Sequence, residues 1–112
     1  MPAYNLPELH DDVHFTAEML ADIYLGKIKR WNDPQIVKWN KNLPLPDAPI
    51  VVVHRADGSG TTYAWSAFLA SASSKWKLNV GMGMLPAWPT GIGADGNVGV
   101  ASTVKSTLHS IG

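Results

Sequence analysis

The spacing of apolar residues changes from one part of this chain to the next, and each spacing predicts an element. Met19, Leu20, Ile23 and Tyr24 recur at i, i+1, i+4 and i+5, which is one apolar face of a helix. The pattern predicts a helix over residues 15–27. Thr16 is its N-cap, and Glu18 lies in the first turn, where the helix dipole favours negative charge. Gly26 suits the left-handed position just past its end. Asp33-Pro34 predicts a second helix, with Asp as cap and Pro in the first turn, running to about Asn40. Before these, Ala3-Tyr4-Asn5-Leu6-Pro7 reads as extended, because Pro7 keeps its predecessor out of the helical region. The polar stretch His10-Asp11-Asp12-Val13-His14 reads as a turn.

The period then shortens. After a loop with three prolines at residues 42–49, Ile50, Val51, Val52 and Val53 form an unbroken β-branched run, as in a strand buried on both faces. The glycine-containing polar loop at residues 54–62 follows, and then a predicted helix over 63–72. One helical turn is expected over residues 76–80, and irregular chain over 81–95, where glycine and proline concentrate. Asn97 is the predicted N-cap of a last helix bearing Val98, Ala101, Val104 and Leu108. No strand is predicted after it, up to Ile111-Gly112.

Composition narrows the function. With 112 residues, 46% apolar and 16% charged, the chain is one small globular domain rather than a disordered segment. Nine basic side chains balance nine acidic ones, so the electrostatic footprint of a nucleic-acid binder is absent, as is a polybasic membrane patch. With no cysteine there are no disulfides and no thiolate metal sites. No apolar run has a membrane-spanning length, and Met1-Pro2-Ala3 lacks the charged and apolar regions of a signal peptide.

The candidate chemistry lies between the valine run and the helix after it. A helix N-terminus offers unpaired N–H groups and partial positive charge, and small residues let an anion come close. Ser59-Gly60-Thr61-Thr62 supplies both, with three hydroxyls. Arg55, at the strand's end, carries a fork that matches two oxygens of a tetrahedral anion. Asp57 has two readings: it orients Arg55 through an ion pair, or it accepts a hydrogen bond from a protonated anion. The second would favour phosphate, which keeps a proton at neutral pH, over sulfate, which does not. The plain alternative is a turn in which Ser59 or Thr61 only caps the helix. No lysine follows the glycines, so this is not a nucleotide P-loop, and Gly58-Ser59-Gly60 lacks the spacing of a nucleophile elbow.

Three runs carry a family resemblance: Ala21-Asp22-Ile23-Tyr24-Leu25-Gly26-Lys27-Ile28-Lys29-Arg30-Trp31-Asn32-Asp33-Pro34, His54-Arg55-Ala56-Asp57-Gly58-Ser59-Gly60-Thr61-Thr62, and Trp88-Pro89-Thr90-Gly91-Ile92-Gly93 followed by Gly96-Asn97-Val98-Gly99. In this order they resemble the periplasmic phosphate-binding proteins of bacterial phosphate ABC transporters. Tyr4-Asn5-Leu6-Pro7 is similar to the segment where that family crosses between lobes. The resemblance implies an α/β fold, one lobe of a type II periplasmic binding protein, with a small mixed sheet flanked by helices. Residues 1–112 would be the second, inserted lobe, with the first lobe and its half of the site absent. Arg55, Asp57, Ser59, Gly60 and Thr61 would be the phosphate contacts, with no cofactor and no metal. The implied partners are inorganic phosphate and a membrane permease, in the periplasm or another extracytoplasmic space. The missing lobe would also leave a surface for homo-oligomers, so a self-associating fragment is the alternative function, and a phosphate-ester hydrolase a more remote one.

The remaining side chains have plainer readings. His10 and His14 have a metal-compatible spacing but no third ligand nearby, and His54 reads as a satisfied strand-end histidine. The five tryptophans, Trp31, Trp39, Trp65, Trp76 and Trp88, are expected in core and inter-lobe packing rather than in an aromatic ligand platform. Met82 and Met84 are expected to fill gaps, and Asp11 and Asp12 to be solvated.

Overall fold

The computed structural model describes residues 3–112, so Met1-Pro2 of the leader comparison lie outside the described residues. The β-branched run becomes β1 (Val51–Arg55), the middle strand of a three-stranded sheet in the order β2-β1-β3. Both neighbours run parallel to it. β2 (Ile92–Ala94) pairs Val53 with Ile92 and Arg55 with Ala94, and β3 (Ser110–Ile111) pairs Val51 with Ser110 and Val52 with Ile111. Both flanking strands correct the sequence reading, which placed residues 92–94 in irregular chain and no strand after the last helix. They are two and three residues long, too short for any period to show. The sheet is thus parallel throughout, and Tyr4 adds an isolated antiparallel bridge to Ile111 outside its three strands. Ala3 and Gly112 exchange N–H···O bonds of 2.8 Å, which sets the two ends of the described chain side by side.

The helices follow from their caps. Thr16 accepts from the Met19 amide and starts α1 (Ala17–Tyr24), which ends before Gly26 at φ 80°. The helix is shorter than the predicted 15–27, but its stripe of Met19, Leu20, Ile23 and Tyr24 is buried as predicted. Asp33 caps α2 (Pro34–Val37), which stops short of Asn40. The Asn40 side chain turns back to bond the Ile36 carbonyl and both backbone groups of His14. α3 (Gly60–Ala72) begins three residues before the predicted start, because Ser59 caps it. α4 (Ser74–Asn79) covers the expected turn and is capped by Ser73. α5 (Gly96–Ser106) has Asp95 rather than Asn97 at its cap position.

The chain leaves β1 for β2 on one side and then crosses to β3 on the other. Right-handed crossovers therefore place α3 and α5 on opposite faces of the sheet. Successive strand residues point to opposite faces, and Val52 and Val53 are both buried. Val52 joins the main core with Leu20, Ile23, Trp31, Leu69, Trp76 and Ile111. Beyond the other face lies Val104, the one buried residue of α5. Of the expected apolar face of that helix, Val98 and Leu108 are exposed and Leu108 lies past its end.

Trp31 and Trp76 are fully buried, while Trp65 and Trp88 pack against the core from its margin. Only Trp39 departs from the expected packing, being about half exposed. Met82 and Met84 correct the gap-filling expectation, since both project from the surface of an irregular loop. Asp11 and Asp12 are solvated, as read, with Asp11 in a bend.

Candidate functional site

In a parallel sheet the loops that leave the strands' C-terminal ends gather on one edge, and a crevice opens where consecutive crossovers go to opposite faces. Here that point is the end of β1. The loop from β1 to α3 and the loop from β2 to α5 meet there, and Arg55 is the last residue of the strand between them.

The Arg55 guanidinium is built into the meeting point. Its Nε and Nη2 donate to the two carboxylate oxygens of Asp57, each at 2.7 Å. Nη1 donates to Ser59 Oγ at 3.0 Å and to Asn97 Oδ1 at 2.9 Å. Asp57 Oδ1 also accepts the amide of Gly96, the first residue of α5, at 3.3 Å. The bidentate pair holds the Asp57 carboxyl far below the usual carboxylate range, and the same hydrogen bonds raise the Arg55 pKa further above its ordinary value. Of the two readings of Asp57, the one in which it orients Arg55 is the one this geometry displays.

Ser59 is buried and has a double task. Its Oγ accepts the Thr62 amide at 3.1 Å, which caps α3, and it accepts Arg55 Nη1 as well. The cap leaves the amides of Gly60 and Thr61 in the first turn, where a helix has no intrahelical acceptor for them. Both residues are exposed, and around the missing Cβ of Gly60 there is open space. The site therefore joins a fixed cation, two free first-turn amides and the Thr61 hydroxyl at one end of a helix dipole. Such an arrangement has the donors to receive an oxyanion.

The five residues singled out from the sequence thus come together on one loop and one helix end. The sequence reading missed Asn97 and Gly96 as members of the site. The signal was available in the Gly-Asn pair, but it had meaning only once residues 92–94 were recognised as a strand parallel to β1. The supporting loop was missed too. Ser66 is fully buried, and its Oγ accepts the Gly83 amide at 3.0 Å and lies 3.2 Å from the Gly83 carbonyl. One residue on, the Met84 carbonyl accepts the Ser59 amide at 3.0 Å. The exposed methionine loop is therefore a strut beneath the cap of α3.

Arg55, Thr61, Thr62 and Asn97 also line a cavity of about 280 Å³, whose walls include Tyr24, Trp65 and Trp88. His54 lines the same cavity and stacks on Trp88, with ring centroids 4.6 Å apart and planes 12° from parallel. Burial pushes its pKa below the ordinary value, partly opposed by a hydrogen bond to the Arg55 carbonyl. The unfolded chain then binds a proton in a window just below pH ~6.5 that the folded chain does not, so stability rises with pH across it. Urea midpoints measured from pH 5 to 8 should fall on the acid side in the native chain, and His54→Phe should flatten that fall. An unchanged slope in the variant would remove His54 as its cause.

Comparison with known proteins agrees with this geometry. A family model described as the PBP superfamily domain matches residues 1–112. The chain is 51% identical over 113 residues to "Phosphate-binding protein PstS" of Pasteurella multocida, covering all of this chain and 33% of that protein. It is 48% identical over 113 residues to the protein of the same name from Haemophilus influenzae, covering 34% of it. It thus spans about a third of the length of these curated relatives. Among solved structures, it superposes with a TM-score of 0.67 and 22% identity on a high-affinity periplasmic phosphate-binding protein, PfluDING, bound with phosphate. That match covers 98% of this chain and 29% of the other, and it establishes the likeness of fold. With the family match running from the first residue to the last, the chain belongs to the PBP superfamily.

Proposed function

We propose that this chain is the second lobe of a phosphate-binding protein that serves a phosphate ABC transporter, and that it carries half of the phosphate site. The observation that carries the reading is Arg55, fixed by Asp57 at the end of β1 and aimed beside the free first turn of α3. In this reading Arg55 binds phosphate, Asp57 orients Arg55, and Ser59, Gly60 and Thr61 contribute hydroxyl and backbone donors. The names of the relatives at 51% and 48% identity support phosphate as the ligand. The same likeness supports an extracytoplasmic location and a membrane permease as partner.

The function is binding rather than catalysis. Ser59 Oγ accepts two hydrogen bonds, from Arg55 and from the Thr62 amide, and among the described residues no base is hydrogen-bonded to it to make it a nucleophile. The other half of the site comes from a first lobe, so the lobe by itself binds weakly.

An NMR titration of the chain with phosphate and, separately, sulfate at constant ionic strength tests this. Phosphate should shift the amides of residues 59–62 and the Arg55 side chain, with sulfate shifting them less. Equal shifts would make the loop a general anion cradle. Complete silence up to high phosphate would remove the half-site and leave the self-association reading, for which the outer edge of β2 is the place to look.

A further inference from the structure

A guanidinium carries five N–H donors. Four are occupied here by protein: Nε by Asp57 Oδ1, Nη2 once by Asp57 Oδ2, and Nη1 twice, by Ser59 Oγ and Asn97 Oδ1. One N–H of Nη2 remains. A tetrahedral oxyanion that takes Arg55 through two donors needs a second from Nη1, and so must displace Ser59 or Asn97. The two are held differently. Ser59 Oγ is buried and also caps α3 through Thr62. Asn97 is exposed on the second residue of α5, and among the described residues its side chain makes no other hydrogen bond. Its oxygen sits at anion-like distance from the cation, and the residue lines the cavity that Thr61 also lines.

We propose that Asn97 is a placeholder: its side-chain oxygen occupies one anion-oxygen position on Arg55 and is expelled when the oxyanion binds. The inference rests on the phosphate reading of the site and adds a residue that sets its affinity. Asn97 acts through Arg55, so it is a positioning residue. It keeps the guanidinium in place and both N–H groups of Nη1 engaged in the empty site, at a cost in affinity that the anion must overcome. Because Asn97 belongs to α5 and Arg55 to β1, its release removes one bond between the start of that helix and β1, while the Gly96 amide stays on Asp57.

The test measures phosphate dissociation constants for the native chain, Asn97→Ala and Asn97→Asp by NMR titration, with urea midpoints as the control for folding. Asn97→Ala should bind phosphate about three- to tenfold more tightly, since the anion no longer displaces a charge-assisted hydrogen bond. Asn97→Asp should bind at least about tenfold more weakly, because a carboxylate on Arg55 is harder to displace and repels the anion. Both should keep the native midpoint within a small margin, as Asn97 is exposed. Binding by Asn97→Ala alone, with a silent native chain, would support the placeholder. Equal or weaker binding by Asn97→Ala, with the native chain binding, overturns it and leaves the phosphate reading standing. Silence in both chains overturns the two together.

Discussion

Arg55→Ala is expected to abolish phosphate binding by this chain, with a loss of at least about a hundredfold in affinity. Two contributions add. A charge-assisted hydrogen bond contributes about 1.5–3 kcal/mol, and Arg55 offers the anion up to two. The substitution also strips Asp57 of its ion-pair partner, so an uncompensated carboxylate faces the incoming anion. Among the described residues, no lysine or other arginine lines the cavity to replace the lost charge. If the lobe alone binds near the millimolar level, about −4 kcal/mol, a hundredfold loss carries it beyond detection. The measurement is the same NMR titration, read at residues 59–62. The fold should survive, since Arg55 lies at the sheet's edge and Ser59 still caps α3. Phosphate shifts that persist in Arg55→Ala at native affinity would mean that the helix end alone binds the anion.

Gly91→Ala carries the largest expected effect on stability, a loss of about 3–5 kcal/mol. Gly91 has φ 106°, a backbone conformation that residues with a Cβ rarely adopt. A Cβ there would stand 2.6 Å from the Val52 carbonyl oxygen, which belongs to the central strand. Neither atom can step aside without breaking the approach of β2 to β1. As small domains are stable by only about 5–15 kcal/mol, the loss is a large share of the total. Urea denaturation followed by tryptophan fluorescence should show a sharply lowered midpoint. A native midpoint would show that the turn before β2 tolerates a Cβ and can relax.

Different parts of the fold were legible in the sequence to different degrees. α1 could be read because its apolar stripe spans two turns and its N-cap is a threonine, both of which act within a few residues. The valine run of β1 was legible because a strand covered on both faces needs apolar side chains at every position. β2 and β3 were not legible. They are stretches of three and two residues, one of them mostly glycine and alanine, whose hydrogen bonds exist only because β1 already lies between them. The start of α3 fell between these cases. Ser59 was recognised as a candidate cap, but glycine and two threonines in the first turn argue for loop by propensity, and the cap with its bond to Arg55 outweighs them.

The site divides along the same line. Arg55, Asp57, Ser59, Gly60 and Thr61 lie within seven consecutive positions, so local chemistry and family likeness were enough to group them. The bidentate ion pair of Arg55 with Asp57, two residues apart, is of this local kind. Asn97 lies forty-two positions from Arg55, and Met84 reaches the Ser59 amide across a separate loop. The sequence alone therefore grouped the residues of the loop from Arg55 to Thr61 and showed that it carries one cation and one carboxylate. The order of the strands brought Asn97 onto Arg55 and decided which guanidinium donors remain free, because donors are committed by contacts in space and not by spacing along the chain.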